Sequence, residues 1–140
     1  MIFKFINLDS KRKMIVLRCI KFVFLSRFLV SFFNLKALKR VIKLFSSSKT
    51  KRMRELFGPE EIFIIHNRIF KFFGNSTCLK KCFSAKLLMM SYGYAPDIVF
   101  GIKKNSPSEL DGHSWIELDG NPYIYQEENI YQYKRSEFIL

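Results

Sequence analysis

The sequence predicts an α+β fold: a run of helices, then one cysteine-bearing helix, then a small antiparallel sheet. Three observations predict it. Up to residue 73 the apolar residues recur at three- and four-residue spacing, the period of a helix face. From residue 97 they alternate in twos, as Ile98, Phe100 and Ile102 do, which is the period of a strand. Between the two lies "GNSTCLKKC", residues 74–82, where small polar residues end one helix and a cysteine opens the next. Helices and strands segregated along the chain are the α+β arrangement.

Each element follows from its residues. Met14 to about Phe33 reads as a helix that is apolar nearly all round. Leu35, Leu38, Ile42 and Phe45 then form one face of an amphipathic helix, with Lys36, Lys39, Arg40 and Lys43 opposite. "SSSKTKR", residues 46–52, is a polar linker. It divides a basic, Phe-rich helical region (1–50) from a core domain (51–140). Pro59 suits a first helical turn and Glu60 and Glu61 favour that end through the helix dipole. Ile62, Ile65, Ile69, Phe72 and Phe73 supply its apolar face. Thr77 or Ser76 is the expected N-cap of the cysteine helix, which places Cys78 at the first helical position. Leu79, Phe83, Leu87 and Met90 are its buried stripe, and Gly93 ends it. Residues 97–103 form a strand, 105–112 ("NSPSELDG") a loop and 113–118 a second strand. Asp119-Gly120 is the strongest hairpin signal in the chain, with a third strand expected at about 122–127 and a last strand or tail at 130–139.

Charge is unevenly shared. Residues 1–73 hold 17 Lys and Arg against 4 Asp and Glu, whereas residues 74–140 hold 7 against 8. A basic half fits nucleic acid, an anionic membrane or an acidic partner. No RNP-like, zinc-finger or Walker pattern supports nucleic acid, so none is expected as a partner. Residues 14–33 are long enough to span a bilayer, but Arg18, Lys21 and Arg27 are costly at that depth. The stretch is therefore expected to be buried or interfacial, which leaves room for peripheral contact at the inner membrane face. Cys19, Cys78 and Cys82 are an odd number with no paired spacing, and a reduced, cytoplasmic setting fits them best. No CxxC or HxxxH spacing points to a metal, and no cofactor is expected.

The chemistry concentrates at Cys78. Unpaired backbone N–H groups at a helix N-terminus present about half a positive charge. They lower a thiol's pKa, raise the nucleophilic thiolate fraction and are placed to hold an oxyanion. Such a cysteine needs a base, and the chain has two histidines. His66 lies among Ile and Phe and is expected to be structural and partly buried. His113 opens a strand that packs against the cysteine helix, in the Cys-then-His order of papain-like and transglutaminase-like folds. Trp115 shares its strand face and is expected to wall the site or to join the core. Glu117 on that face reads as structural, and Cys82 and Cys19 as small buried apolar residues.

"TCLKKCFSAKLLMMSYGYAPDIVFGIKK" followed by "GHSWIELDG" resembles the lasso-peptide biosynthesis B2 proteins, leader peptidases of the McjB C-terminal type. In that family a Cys-Leu opens a helix, an apolar-Gly-apolar strand follows, and a His-(Ala/Ser)-Trp strand runs into an Asp-Gly hairpin. The resemblance covers residues 76–120, about a third of the chain. It implies a transglutaminase-like core with cysteine-protease chemistry: Cys78 as nucleophile and His113 as base and then acid. The family usually has an Asp about a dozen residues after the His. Here position 125 is Tyr. A two-residue Asp119-Gly120 turn sets Gln126 opposite His113 across the ladder, where it would orient the imidazole as an Asn does in papain-like enzymes. A loop one residue longer brings Glu127 there, and Glu127 is slightly favoured because a carboxylate better stabilises imidazolium.

The same resemblance implies the partners. The substrate is a ribosomally made precursor, cut between leader and core. A separate small leader-recognition protein, B1, presents the leader, and an ATP-using lasso cyclase takes the freed amine. The basic helices within 14–73 are the expected docking region. Two other readings stand beside the peptidase: a non-catalytic scaffold for precursor or membrane, and an acyl or amide transferase using the same Cys-His dyad.

Overall fold

The computed structural model describes residues 9–46, 56–73, 77–106, 109–123 and 129–140. Four helices come first: α1 (Ser10–Phe32), α2 (Leu35–Ser46), α3 (Pro59–Phe72) and α4 (Cys78–Ser91). Four strands follow: β1 (Asp97–Ser106), β2 (Glu109–Leu118), β3 (Asn121–Tyr123) and β4 (Lys134–Ile139), with a short 3-10 turn at Ile130–Gln132 before β4. They form one antiparallel sheet in the order β3-β2-β1-β4.

Local chemistry sets the boundaries. Asn34 separates α1 from α2, its Oδ1 accepting the Ala37 N–H at 3.0 Å as an N-cap does. Pro59 opens α3 with Glu60 and Glu61 in the first turn. Gly93, at φ 88°, turns the chain out of α4. Asp119 (φ 52°) and Gly120 (φ 79°) both take left-handed backbone, which a type I′ hairpin turn requires, and Leu118 pairs with Asn121 across it.

Helix α4 is the centre of the molecule. Every residue from Cys82 to Met89 is buried. It packs against α1, α2 and α3 on one side and against β2 on the other. One apolar cluster joins Ile15, Cys19, Phe22 and Val23 of α1, Ile62 and Ile69 of α3, Phe83 and Leu87 of α4, and Ile98 and Ile116 of the sheet. The boundary expected at 50–51 lies outside the described residues, but α1 shares this core with α4 and the sheet. Lys86 is the buried cation of α4. Its Nζ donates to the Leu140 carbonyl at 2.9 Å and to that of Pro96, and stands 3.7 Å from Asp97 Oδ1. Burial lowers its pKa while Asp97 works the other way. The bond to Leu140 ties the end of the last strand to the central helix.

Three expectations need correction. Within 105–112, residues 105–106 and 109–112 are strand and not loop: β1 and β2 stay paired out to Ser106 opposite Glu109, and 107–108 lie outside the described residues. Backbone ladders do not depend on apolar side chains, so a polar hairpin end is invisible to a pattern of hydrophobicity. Phe72 is not on the buried face of α3, being 64% exposed. That face is made by Ile62, Phe63, His66, Ile69 and Phe70. His66 is fully rather than partly buried, its Nε2 lying 2.9 Å from Ser84 Oγ. Burial, with the charge of Lys81 adding to it, pushes its pKa down to about 3, so the imidazole is neutral in the folded protein.

One close approach holds the far face of the sheet. Gly101 of β1 pairs with His113 of β2. A Cβ at Gly101 would stand 2.7 Å from the Trp115 ring and 2.7 Å from Tyr133 Cβ, closer than Cβ atoms pack, so one of these neighbours would have to shift. Gly101→Ala is expected to lower unfolding stability by about 1–3 kcal/mol, the range for overpacking a filled interior, measured by urea denaturation. Wild-type stability in that variant would show the contact to be soft.

Candidate active site

Cys78 is the first residue of α4, after Thr77 as N-cap in extended conformation. The Thr77 side chain makes no cap hydrogen bond, so it does not occupy the first-turn N–H groups. The helix enters the sheet at β2. There the Cys78 sulfur meets three groups: the imidazole of His113, the hydroxyl of Ser114 and the backbone N–H of Ser114. Burial alone would raise the thiol's pKa. The hydrogen bonds from His113 and from the Ser114 side chain and backbone, with the charge of His113, outweigh it and bring the thiol to about 7.

The strand explains how two adjacent residues serve one sulfur. Side chains alternate along β2. Ile116 and Leu118 turn into the core shared with α4, whereas Trp115 packs on the far face with Val99, Ile130 and Tyr133. Ser114 falls with the first set and His113 with the second. The ladder from β3 reaches only to Ile116 opposite Tyr123 among the described residues. Beside Ser114 the N–H that would face a neighbouring strand instead serves the Cys78 sulfur.

His113 is held by aromatic rings. The Trp115 ring stacks on it at 6.4 Å and 18°, and the Tyr133 ring at 5.1 Å and 35°. Each ring is anchored in turn. Trp115 Nε1 donates to Glu117 Oε1 at 2.9 Å, and Arg135 Nη1 donates to the same carboxylate at 2.8 and 3.1 Å. Tyr133 donates its hydroxyl to Asp111 Oδ2 at 2.7 Å. Trp115 thus packs beside the imidazole and is itself buried.

Cys82, one turn along α4, is buried as expected but is more than an apolar filler: its thiol donates to the Ser114 carbonyl at 3.2 Å. Cys19 is buried, and burial pushes its thiol up to about 12. His66 lies in the core, bonded to Ser84. Gly101 and Ser114 fall within the family pattern, which gives neither a role, and sequence patterns do not single out Tyr133 or Asp111. Their contributions are an absent Cβ, a backbone donor, a ring from the segment leading into β4 and a hydroxyl partner, none of which leaves a spacing to read. Gln126 and Glu127 lie in 124–128, outside the described residues. Among the described residues no cluster of three His, Cys, Asp or Glu side chains is placed to hold a metal ion.

The arrangement is that of a poised thiolate. The sulfur is half-buried. It sits beside an imidazole able to take or give a proton, at a helix N-terminus whose dipole and N–H groups favour negative charge. No curated protein and no solved structure matches the chain. A sequence profile of the transglutaminase-like superfamily does match it, over residues 23–137. That span takes in Cys78, His113, β1 to β3 and the first part of β4, and on it the chain belongs to the transglutaminase-like superfamily.

Proposed function

We propose that this protein is a cysteine peptidase that removes the leader from a ribosomally made lasso-peptide precursor. The observation that carries the chemistry is the hydrogen-bonded contact between the Cys78 sulfur and the His113 imidazole, with the thiol brought to about 7. The substrate class rests on the likeness of residues 76–120 to the B2 leader peptidases.

In this reading the Cys78 thiolate attacks the scissile carbonyl, and first-turn N–H groups of α4 take the oxyanion. The C–N bond breaks as His113 gives its proton to the leaving amine. Water then attacks the thioester, with His113 accepting its proton, and releases the leader acid and the thiolate. The Leu118–Asn121 pairing is that of a two-residue turn. For the group that orients the imidazole Glu127 is the first choice, since a carboxylate better stabilises imidazolium, with Gln126 as the alternative. The exposed Lys36, Lys39, Arg40 and Lys43 of α2 offer an acidic leader, or the protein that carries it, a cationic face. The lasso cyclase acts downstream on the freed amine.

Cys78→Ala is expected to slow leader removal by at least about a thousandfold while leaving precursor binding intact, followed by mass spectrometry of the two fragments. Unimpaired processing by this variant ends the peptidase reading and leaves a scaffold. A new amide in place of a free acid would make the protein a transferase on the same dyad. In the same assay Glu127→Ala is expected to lower turnover by up to about a hundredfold, and Gln126→Ala much less. The reverse order would make Gln126 the orienting group.

A further inference from the structure

Helix α1 is apolar on two faces, and the fold covers one. Ile15, Cys19, Phe22 and Val23 enter the core. On the opposite side Phe24, Phe28 and Phe32 are 55%, 57% and 74% exposed, spaced four residues apart and so in line along about 12 Å of helix. The row does not stand alone. Phe24 meets Phe73, just past the end of α3, edge-on at 5.3 Å, and Phe73 meets the exposed Phe72 at 5.6 Å. Phe28 and Phe32 are 4.9 Å apart. Four exposed rings, with the partly buried Phe73 beside them, thus form one apolar patch across α1 and the end of α3. Monomeric soluble proteins rarely leave so much contiguous apolar surface uncovered without a use for it.

The charges around the patch are of one sign. From Ser10 to Ser46 there are ten Lys and Arg and no Asp or Glu. Lys21 is exposed one turn before Phe24, Lys71 is exposed beside Phe72, and Arg27 Nη2 donates to the Phe73 carbonyl at 2.7 Å. Glu60 and Glu61 lie at the opposite end of α3.

We propose that this Phe patch, with its rim of Lys and Arg, docks the protein on an anionic lipid surface. Rings more than half exposed stand out from the helices instead of lining a cleft, which suits insertion among acyl chains better than capture of an extended peptide. Long cationic side chains at the rim reach lipid phosphates while their stems lie along the apolar zone. No described helix is long and apolar enough to cross a membrane, so the contact is interfacial.

The test is co-sedimentation of the full chain with phosphatidylcholine vesicles, with and without phosphatidylglycerol. Binding is expected only to the anionic vesicles and is expected to weaken as salt rises. The triple variant Phe24→Ser, Phe28→Ser, Phe32→Ser changes only exposed residues, and its thermal melt checks the fold. It is expected to lower partitioning by about a hundredfold. Lys21→Glu with Lys71→Glu is expected to remove the preference for phosphatidylglycerol and leave the patch itself unchanged. Equal binding to both vesicle types, no binding to either, or binding unchanged in both variants overturns the proposal. So does an apolar patch that is covered only by a second polypeptide.

Discussion

Two thiols one helical turn apart bind the same residue. Cys82 donates to the carbonyl of Ser114 and its sulfur lies 3.7 Å from the Ser114 hydroxyl, while that hydroxyl and the N–H of Ser114 also act on the sulfur of Cys78. This double attachment fixes where the N-terminus of α4 meets β2, and the site depends on it. If the helix shifted along the strand by one residue, the sulfur would lose its donors and the imidazole beside them. The remaining packing keeps the helix from shifting: α4 is buried on all sides from Cys82 to Met89, with α1 and α3 behind it and Lys86 pinned to Pro96, Asp97 and Leu140 at its far end.

The imidazole is held from the other face of the sheet. His113 stands against Trp115 and Tyr133, and those rings are fixed by Glu117, Arg135 and Asp111. Gly101 leaves the space that lets Trp115 and Tyr133 close together behind it. The sulfur and the imidazole therefore reach each other from opposite sides of one strand, each locked by a different set of neighbours. Such dual support is what a nucleophile and its base require, because a small displacement of either costs much of the rate.

Much of this was legible in the sequence. Helix and strand periods gave the order of elements, and Asp119-Gly120 gave the hairpin and its two-residue turn. Thr77 before Cys78 placed the thiol at a helix start, and the His113 motif named its neighbour. The illegible parts share a cause. Ser114 acts largely through its backbone, which has no sequence signature. Tyr133 comes to His113 because β4 pairs with β1, a non-local choice. The polar residues 109–112 lie in a strand because the ladder continues past the apolar stretch. Phe72 follows the 3.6-residue period of α3 yet points outward, since amphipathicity shows that a face exists but not what covers it.

The central claim is that His113 and Ser114 hold the sulfur of Cys78 as a thiolate near neutral pH. The most direct measurement is the rate of iodoacetamide alkylation at Cys78 against pH, mapped by mass spectrometry, in the wild type and in His113→Ala. A lowered pKa places the reactive form above it, so the wild-type rate should be half-maximal at about 7 and the variant's should move up toward the ordinary thiol value of 9.0. A wild-type profile that rises only near 9.0, and that His113→Ala leaves in place, would contradict the account.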